Sequence, residues 1–320
     1  ESSAASDVYK RQGDSMQVNK ISFPTFKHLK VNHTEIRDAE ILKGFELLYA
    51  SDLDPIEVKD TEIKRQVQNT DGWAIEGDHF IVLEGGQVQN GIVFTDQDKQ
   101  AQRLKIELQK DSKAKLFFLY DLKGGDLVAD VEFIVNEGAE LEMGMVFLEG
   151  KNIYYNIHSH LKEESAKMHM EAAYFAGDGS NYDINLEVIH DSKETESLLN
   201  MNGVLDNGAS KLYKYNIDFP KGCYGSKGEE TETVIAIGDD FKNVTVPILL
   251  VGEDSIEAAH GATLKQPDES AIDYISSRGI DRDTATLMVV EGHFQPAMDM
   301  MDKDTKDLAM KRLEEIIRGR

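Results

Sequence analysis

The segment Thr245-Val246-Pro247-Ile248-Leu249, running on through Ala259-His260-Gly261-Ala262-Thr263 to Ser277-Arg278-Gly279-Ile280, carries the reading of the whole chain. It is a short apolar strand, an acidic turn, a histidine held among small residues, and a helix that stops at Arg-Gly. Upstream, from Trp73 onward, short runs alternate apolar and polar residues between Gly, Asn and Asp turns. Leu141, Met143, Met145 and Phe147 keep a period of two, and Ile184, Leu186 and Val188 repeat it. Side chains two apart fall on one face of a strand. Similar runs span 104–108, 116–120, 128–135, 153–160, 167–175, 212–217, 234–237 and 246–251. Many short strands at roughly ten-residue spacing predict a sandwich, a barrel or a β-helix. No proline lies between Pro55 and Pro220, so backbone donors stay available for continuous sheets. Periodicity does not choose among the three.

Downstream the texture turns helical. Pro267 and Asp268 open a helix carrying Ile272 and Ile275, which Gly279 stops. Asp281 is placed to cap a second helix, with Thr284 in its first turn and Ala285, Leu287, Met288 and Val289 behind it. Pro296 is expected to interrupt that helix. Asp302 or Asp304 starts a last helix with Leu308, Met310, Leu313, Ile316 and Ile317; it is acidic at its start and closed by Arg318 and Arg320, as the helix dipole favours. At the other end, residues 1–12 (ESSAASDVYKRQ) lack apolar periodicity. Residues 1–15 therefore read as a disordered or non-native leader, with Met16 as a natural start. Residues 21–32 (ISFPTFKHLKVN) are amphiphilic and expected to pack on the body, and Ile36, Ile41, Leu42, Phe45 and Leu48 partly fit one helical face. The expected division is a leader over 1–15, a helical or irregular region over 16–72, a β core over 73–266 and a helical subdomain over 267–320.

A chain of 320 residues with 40% apolar content can bury a sizeable core. It has no apolar run long enough to span a bilayer. A formal net charge of −24 repels phosphate backbones and anionic lipid, which argues against nucleic acid and membrane partners. The first residues show no basic-then-apolar signal pattern, and the single cysteine, Cys223, fits a reducing, cytoplasmic setting.

Phe219-Pro220-Lys221-Gly222 leads to Ser226-Lys227-Gly228-Glu229-Glu230, and His260-Gly261-Ala262-Thr263 follows. From about Gly222 to Phe294 the chain resembles the C-terminal core of the SufB/SufD family, the scaffold proteins of the SUF iron–sulfur cluster assembly system. Leu29-Lys30-Val31-Asn32 resembles an N-terminal phrase of its short members. The resemblance implies a mainly β protein, with a parallel β-helix core between a helical or irregular N-terminal region and a C-terminal helical subdomain. It implies a scaffold that is not itself an enzyme. The helices after Pro267, with Tyr274, Arg278, Gly279, Phe294 and Met298, would dock a SufC-type ATPase. The edge around His260 and Gly261 would pair with a SufB-like subunit or with a second copy. No cofactor would be bound stably; iron or an iron–sulfur cluster would be held in passing, with His260 as a metal ligand. SufB-like members carry an essential cysteine on the strand two before the histidine motif. The matching position falls at or near Glu232, with no cysteine there, which makes the chain SufD-like.

Other constellations have plainer readings beside the sharper ones. Neutral imidazole is a good iron ligand and proton carrier, but small residues around His260 also suit a tight strand corner. Lys221 and Lys227 could lower the pKa of Cys223, yet a lone cysteine also serves as a small apolar filler. His158-Ser159-His160 directs two imidazoles to one side of a strand, and with Glu164 it suggests half of a cupin metal site, hence a metal-dependent β-rich enzyme. The second half, with Gly, Pro and His, is missing, since His169 and His190 stand alone. A solvated strand face is the plainer reading. A carbohydrate-active β-helix is weakened by the single tryptophan, Trp73. His293 reads as surface or packing. Met298, Met300 and Met301 form a soft apolar patch, fit for a core or for a partner. Glu229-Glu230-Thr231-Glu232 and Glu163-Glu164 read as solvated turns. Gly225-Ser226-Lys227-Gly228 lacks the spacing of a phosphate-binding loop, and no Gly-x-Ser-x-Gly motif occurs.

Overall fold

The computed structural model describes residues 11–12, 15–22, 30–50, 55–58, 67–95, 98–267 and 269–319. Strands β1 (Arg11–Gln12), β2 (Ser15–Val18) and β3 (Thr34–Ile36) form a small antiparallel sheet, followed by helix α1 (Ala39–Ala50). Next come β4 (Pro55–Val58), β5 (Val67–Thr70) and β6 (Trp73–Val82), with β5 antiparallel to β6 and β4 parallel to it. A long strand series continues with β7 (Gln87–Thr95), β8 (Lys99–Leu108), β9 (Lys113–Asp121), β10 (Asp126–Val135), β11 (Glu140–Leu148), β12 (Asn152–Leu161) and β13 (Lys167–Ala176). It ends with β14 (Asn181–His190), β15 (Glu196–Leu205), β16 (Ser210–Phe219), β17 (Lys227–Ala236), β18 (Lys242–Val251) and β19 (Glu257–Lys265). Helices α2 (Glu269–Ser277), α3 (Arg282–Met298) and α4 (Lys303–Arg318) close the chain.

The even strands make one sheet, in the order β18-β16-β14-β12-β10-β8-β6-β4. The odd strands make the other, β19-β17-β15-β13-β11-β9-β7. From β8 onward each strand lies parallel to the strand two before it, so the chain winds as a two-sided parallel β-solenoid. This is the β-helix expected from the resemblance. It removes the cupin alternative, because a cupin is a jelly roll of antiparallel strands.

Period-two alternation fixes which side chains line the lumen. Leu141, Met143, Met145 and Phe147 share one buried core with Ile184, Leu186 and Val188 from the facing sheet. The register holds from coil to coil, Phe147 beside Tyr174, Tyr174 beside Gly203, and Gly203 beside Val234. A one-residue slip would turn every one of these outward. The corners need a left-handed residue, and the chain supplies it as Gly85, Asp111, Gly138, Ser165, Glu194 and Gly225. At each the freed N–H donates to the corner of the next coil, for example Asp111 to Glu137 O at 2.8 Å and Glu194 to Tyr224 O at 3.0 Å. That bond offsets the strain at the non-glycine positions.

Both sheets are covered outside as well, which explains strands such as Phe117-Phe118-Leu119 that are apolar on two faces. Ile41, Leu42, Phe45 and Leu48 of α1 pack on Trp73, Ile75, Ala101, Val128 and Tyr154. Leu287, Val290, Phe294, Ala297 and Met298 of α3, with Ala309, Leu313 and Ile317 of α4, pack on Phe117, Leu119, Val146, Leu148, Ala173 and Phe175. Full burial of such side chains is worth roughly 2 kcal/mol each, whereas an exposed ion pair is worth less than about 1 kcal/mol, so apolar contact decides where the helices sit. Arg312 adds a polar tie, donating to Asp121 at 2.8 Å and Glu149 at 2.6 Å at the sheet's corners. Asp281 and Asp302 cap α3 and α4 through the N–H groups of Thr284 and Thr305, as expected. Pro296 does not interrupt α3. It sits in the last turn, and the helix runs on to Met298.

Ile21 and Val31 are buried against Val246 and Ile248 of β18, so the ends of the 21–32 segment do pack on the body. Its middle, residues 23–29, which includes Leu29 of the N-terminal phrase, lies outside the described residues. Most of the expected leader over 1–15 does too. Arg11 and Gln12 pair with Met16 and Ser15 in β1–β2.

Candidate functional site

The solenoid ends openly. β18 and β19 are the outermost strands of their sheets, and β19 is exposed or half-exposed along its whole length. An edge strand of this kind offers unpaired N–H and C=O groups to another chain. His260 lies in the middle of β19 and is exposed. Its register partner on β17 is the inward-facing Glu230, and Ala262 stands beside Glu232. The histidine therefore sits on the lumen side of the last coil, above the end of the core. A Cβ added to Gly261 would meet nothing closer than Thr231 Cγ2 at 3.9 Å, so the space beside it is open.

Beneath His260 the core changes character. Lys211 and Glu232 pair inside the lumen at 2.7 Å, with side-chain exposures of 0% and 1%. Glu232 also accepts from Tyr174 at 3.0 Å and from Thr245 at 2.5 Å, while Lys211 donates a second bond to Thr245 at 2.9 Å. Tyr174 reaches this pair across Gly203, where any Cβ would overlap its ring. Burying such a pair is costly, and removing one partner typically costs about 3–5 kcal/mol, so the full set of donors is what makes it tolerable. Burial pulls the Lys211 ammonium below its ordinary pKa, and the Glu232 charge opposes that. Next to it, Glu230 is wholly buried. Tyr213 donates to its Oε1 at 2.8 Å, and its Oε2 has no partner. Burial, reinforced by Glu232, pushes the Glu230 carboxyl well above the usual range despite the Tyr213 bond.

These acids correct the expectation of a solvated turn over 229–232. The segment is the middle of β17, and the alternation through Val234 and Ala236 carries Glu230 and Glu232 inward. That alternation is the signal that could have found them. Lys211, Tyr213 and Tyr215 on β16 were also missed, although they precede Ile217 and Phe219 at the same period of two. Glu232 stands beside Ala262 of the edge strand, and both its oxygens are taken by protein donors. The Glu163-Glu164 turn lies between β12 and β13, as read.

Cys223 is not activated. It is buried with Ile217 and Phe219, and burial pushes its thiol up rather than down, in spite of the nearby lysines. The pair His158 and His160 does face one way on β12, but the metal set does not assemble. His158 pairs with Glu187 at 3.0 Å, His160 with Asp191 at 2.7 Å, and Glu164 with Lys193 at 2.8 Å. Burial pulls His158 down, but Glu187 and Asp130 outweigh it and raise its pKa. Burial likewise pushes Glu187 up, and the bonds from His158, Ser22 and Asn216 bring it to about 2. Among the described residues no group of three or more His, Cys, Asp or Glu side chains could hold a metal ion.

On the helical side, Tyr274 is exposed and Arg278 lies over its ring at 4.9 Å, with Gly279 ending the segment at φ 89. Phe294 and Met298 are both wholly buried against the sheet. Core packing wins for these two, and among the described residues of the helices the large apolar side chains left exposed are Tyr274, Met288 and Leu308. His293 is a packing residue, its Nε2 2.9 Å from Thr233 O. No helix among the described residues is long and apolar enough to cross a membrane.

Comparison with known proteins agrees with this geometry. Residues 71–293, well over half of the chain, match the family described as SUF system FeS cluster assembly, SufBD core domain. The chain is 28% identical over 133 residues to an iron-sulfur cluster assembly SufBD family protein of Mycobacterium leprae, covering 42% of this chain and 15% of that protein. It is 29% identical over 156 residues to one from Staphylococcus haemolyticus, covering 48% of this chain and 32% of that protein. The matched stretch thus spans about a third or less of these relatives. A parallel solenoid that matches this core domain over 71–293 places the chain in a family: it belongs to the SufBD family of iron–sulfur cluster assembly proteins.

Proposed function

We propose that the chain is a SufD-like, non-enzymatic scaffold subunit that joins partner proteins around a nascent iron–sulfur cluster. The observation that carries this reading is the exposed His260 on the open edge strand β19. An edge strand can pair with a strand of a SufB-like subunit or of a second copy, and such pairing would enclose His260 at the seam. A neutral imidazole there can ligate iron as the cluster forms. With Cys223 buried and Glu232 saturated, this chain's own contribution to the cargo is the histidine, and thiolate comes from the partner. The helical face around Tyr274, Met288 and Leu308 docks a SufC-type ATPase. These are large side chains left exposed on the helices of an acidic, well-covered molecule, where a partner can bury them.

In cells that depend on this chain for cluster supply, His260→Ala is expected to abolish maturation of cluster enzymes while the purified variant keeps its melting temperature and its ATPase partner. Normal maturation would remove His260 from the site. Tyr274→Ala combined with Met288→Asp is expected to weaken co-purification of the ATPase at least tenfold. Surface substitutions are the right probe, because deleting α2–α4 would bare Phe117, Val146 and Phe175. Unchanged recovery of the ATPase would place its dock elsewhere.

A further inference from the structure

β19 is held along one side only, by its ladder to β17. At its centre a second restraint arrives from the opposite sheet. Tyr215 stands on β16, with 1% exposure, and points across the lumen mouth. Its hydroxyl donates to the Gly261 carbonyl at 3.1 Å. Its ring meets the His260 imidazole edge to face, with centroids 6.5 Å apart and planes at 76°. On its other side it packs against Tyr213, with centroids 5.1 Å apart. A tyrosine rather than a phenylalanine is informative here, because a buried hydroxyl is costly unless it is bonded. Gly261 has no side chain to limit its own backbone, so a bond from outside the ladder to its carbonyl adds a restraint on the 261–262 peptide, one residue from His260.

We propose that Tyr215 is a positioning residue for His260. The hydroxyl pins the 261–262 peptide, adjoining His260, of an otherwise one-sided strand, and the ring fixes the face on which the imidazole is presented. The inference rests on the reading of His260 as the working group of the edge.

The test uses the full chain with Tyr215→Phe, which keeps the ring and loses the bond, and Tyr215→Leu, which loses both. Three readouts are taken: hydrogen–deuterium exchange of the 259–263 amides, the His260 ring signals by NMR, and cluster-enzyme maturation in cells, with His260→Ala in parallel. In Tyr215→Phe, exchange at 259–263 is expected to rise at least tenfold with β15 unchanged, the His260 ring signals to move or broaden, and maturation to fall severalfold. Tyr215→Leu is expected to show the same changes, larger. If His260→Ala loses maturation but both Tyr215 variants mature clusters normally, the positioning role is overturned and the scaffold reading stands. Unmoved His260 signals in both variants overturn it too, since a merely structural tyrosine would leave them unmoved. If His260→Ala itself matures clusters normally, the functional reading fails first and takes this role with it. Should Tyr215→Leu fold poorly, the Phe variant alone decides.

Discussion

Glu230 is the residue whose behaviour separates this lumen from an ordinary one. A carboxyl held above its ordinary value of 4.5 keeps its proton in the fold while the unfolded chain releases it. Its stabilising contribution is therefore complete below pH 4.5 and is lost as pH climbs toward the folded value, by up to about 1.4 kcal/mol per unit. Glu230→Gln retains an acceptor for Tyr213 and cannot ionise. It is expected to melt a few degrees higher than the parent near neutral pH and to match it at about pH 4. Identical melting curves at both ends would mean that the carboxyl ionises freely. His190 works in the opposite sense. Burial brings its pKa to about 3, so it gives stability above its ordinary 6.5 that is lost as pH falls toward 3. That loss is common to parent and variant and cancels in the comparison. His260 stands out in the sequence through the resemblance carried by His260-Gly261-Ala262-Thr263, since its small neighbours alone suit a strand corner. Glu230 and Glu232 do not, because a run of acids with a threonine looks solvated until the strand's phase is known.

Among the elements, the helical caps were legible because capping is local: Asp281 and Asp302 need only the N–H groups three residues on. The fate of Pro296 was not. A proline in the last turn is tolerated when the helix ends two residues later, and that end is set by packing on the sheet. Gly144 marks the closest approach. A Cβ there would lie 2.4 Å from Met300 Cβ and 3.0 Å from Ala297 O. Gly144→Val is therefore expected to push the end of α3 off the sheet and to cost about 1–3 kcal/mol. It should show as a lower denaturant midpoint and as faster proteolytic release of the C-terminal helices. A variant as protease-resistant as the parent would show that the helices do not depend on this approach. The same packing explains why Phe294 and Met298, which look like partner anchors in the sequence, are inside.

At the scale of the molecule, strand texture was readable from Trp73 onward, but its architecture came from resemblance. Alternation fixes a strand's faces and says nothing about whether its neighbour runs parallel. The corners show why. Ser165 and Glu194 adopt left-handed backbone only because another coil lies above to receive their N–H groups, a cause that no local window contains. The same stacking leaves one end unfinished, with Val251 and Leu264 exposed by 55% and 49% on the last strands. Val251→Lys with Leu264→Lys is expected to keep the monomer's melting temperature and to weaken association through this end. Light scattering over a range of concentrations checks it; undiminished association would locate the contact on another face.

Arg312 has a mechanical consequence. It fastens the final helix to the corners at Asp121 and Glu149, not to the coil that bears His260. From β9, which ends at Asp121, to β19 there are five strand spacings of roughly 4.8 Å, and from β11, beside Glu149, there are four, so a load on that helix enters about 19–24 Å from the exposed strand. Torque put in at that distance must cross every intervening hydrogen-bond ladder. Continuous ladders of parallel strands would carry such a load to the far rim with little bending.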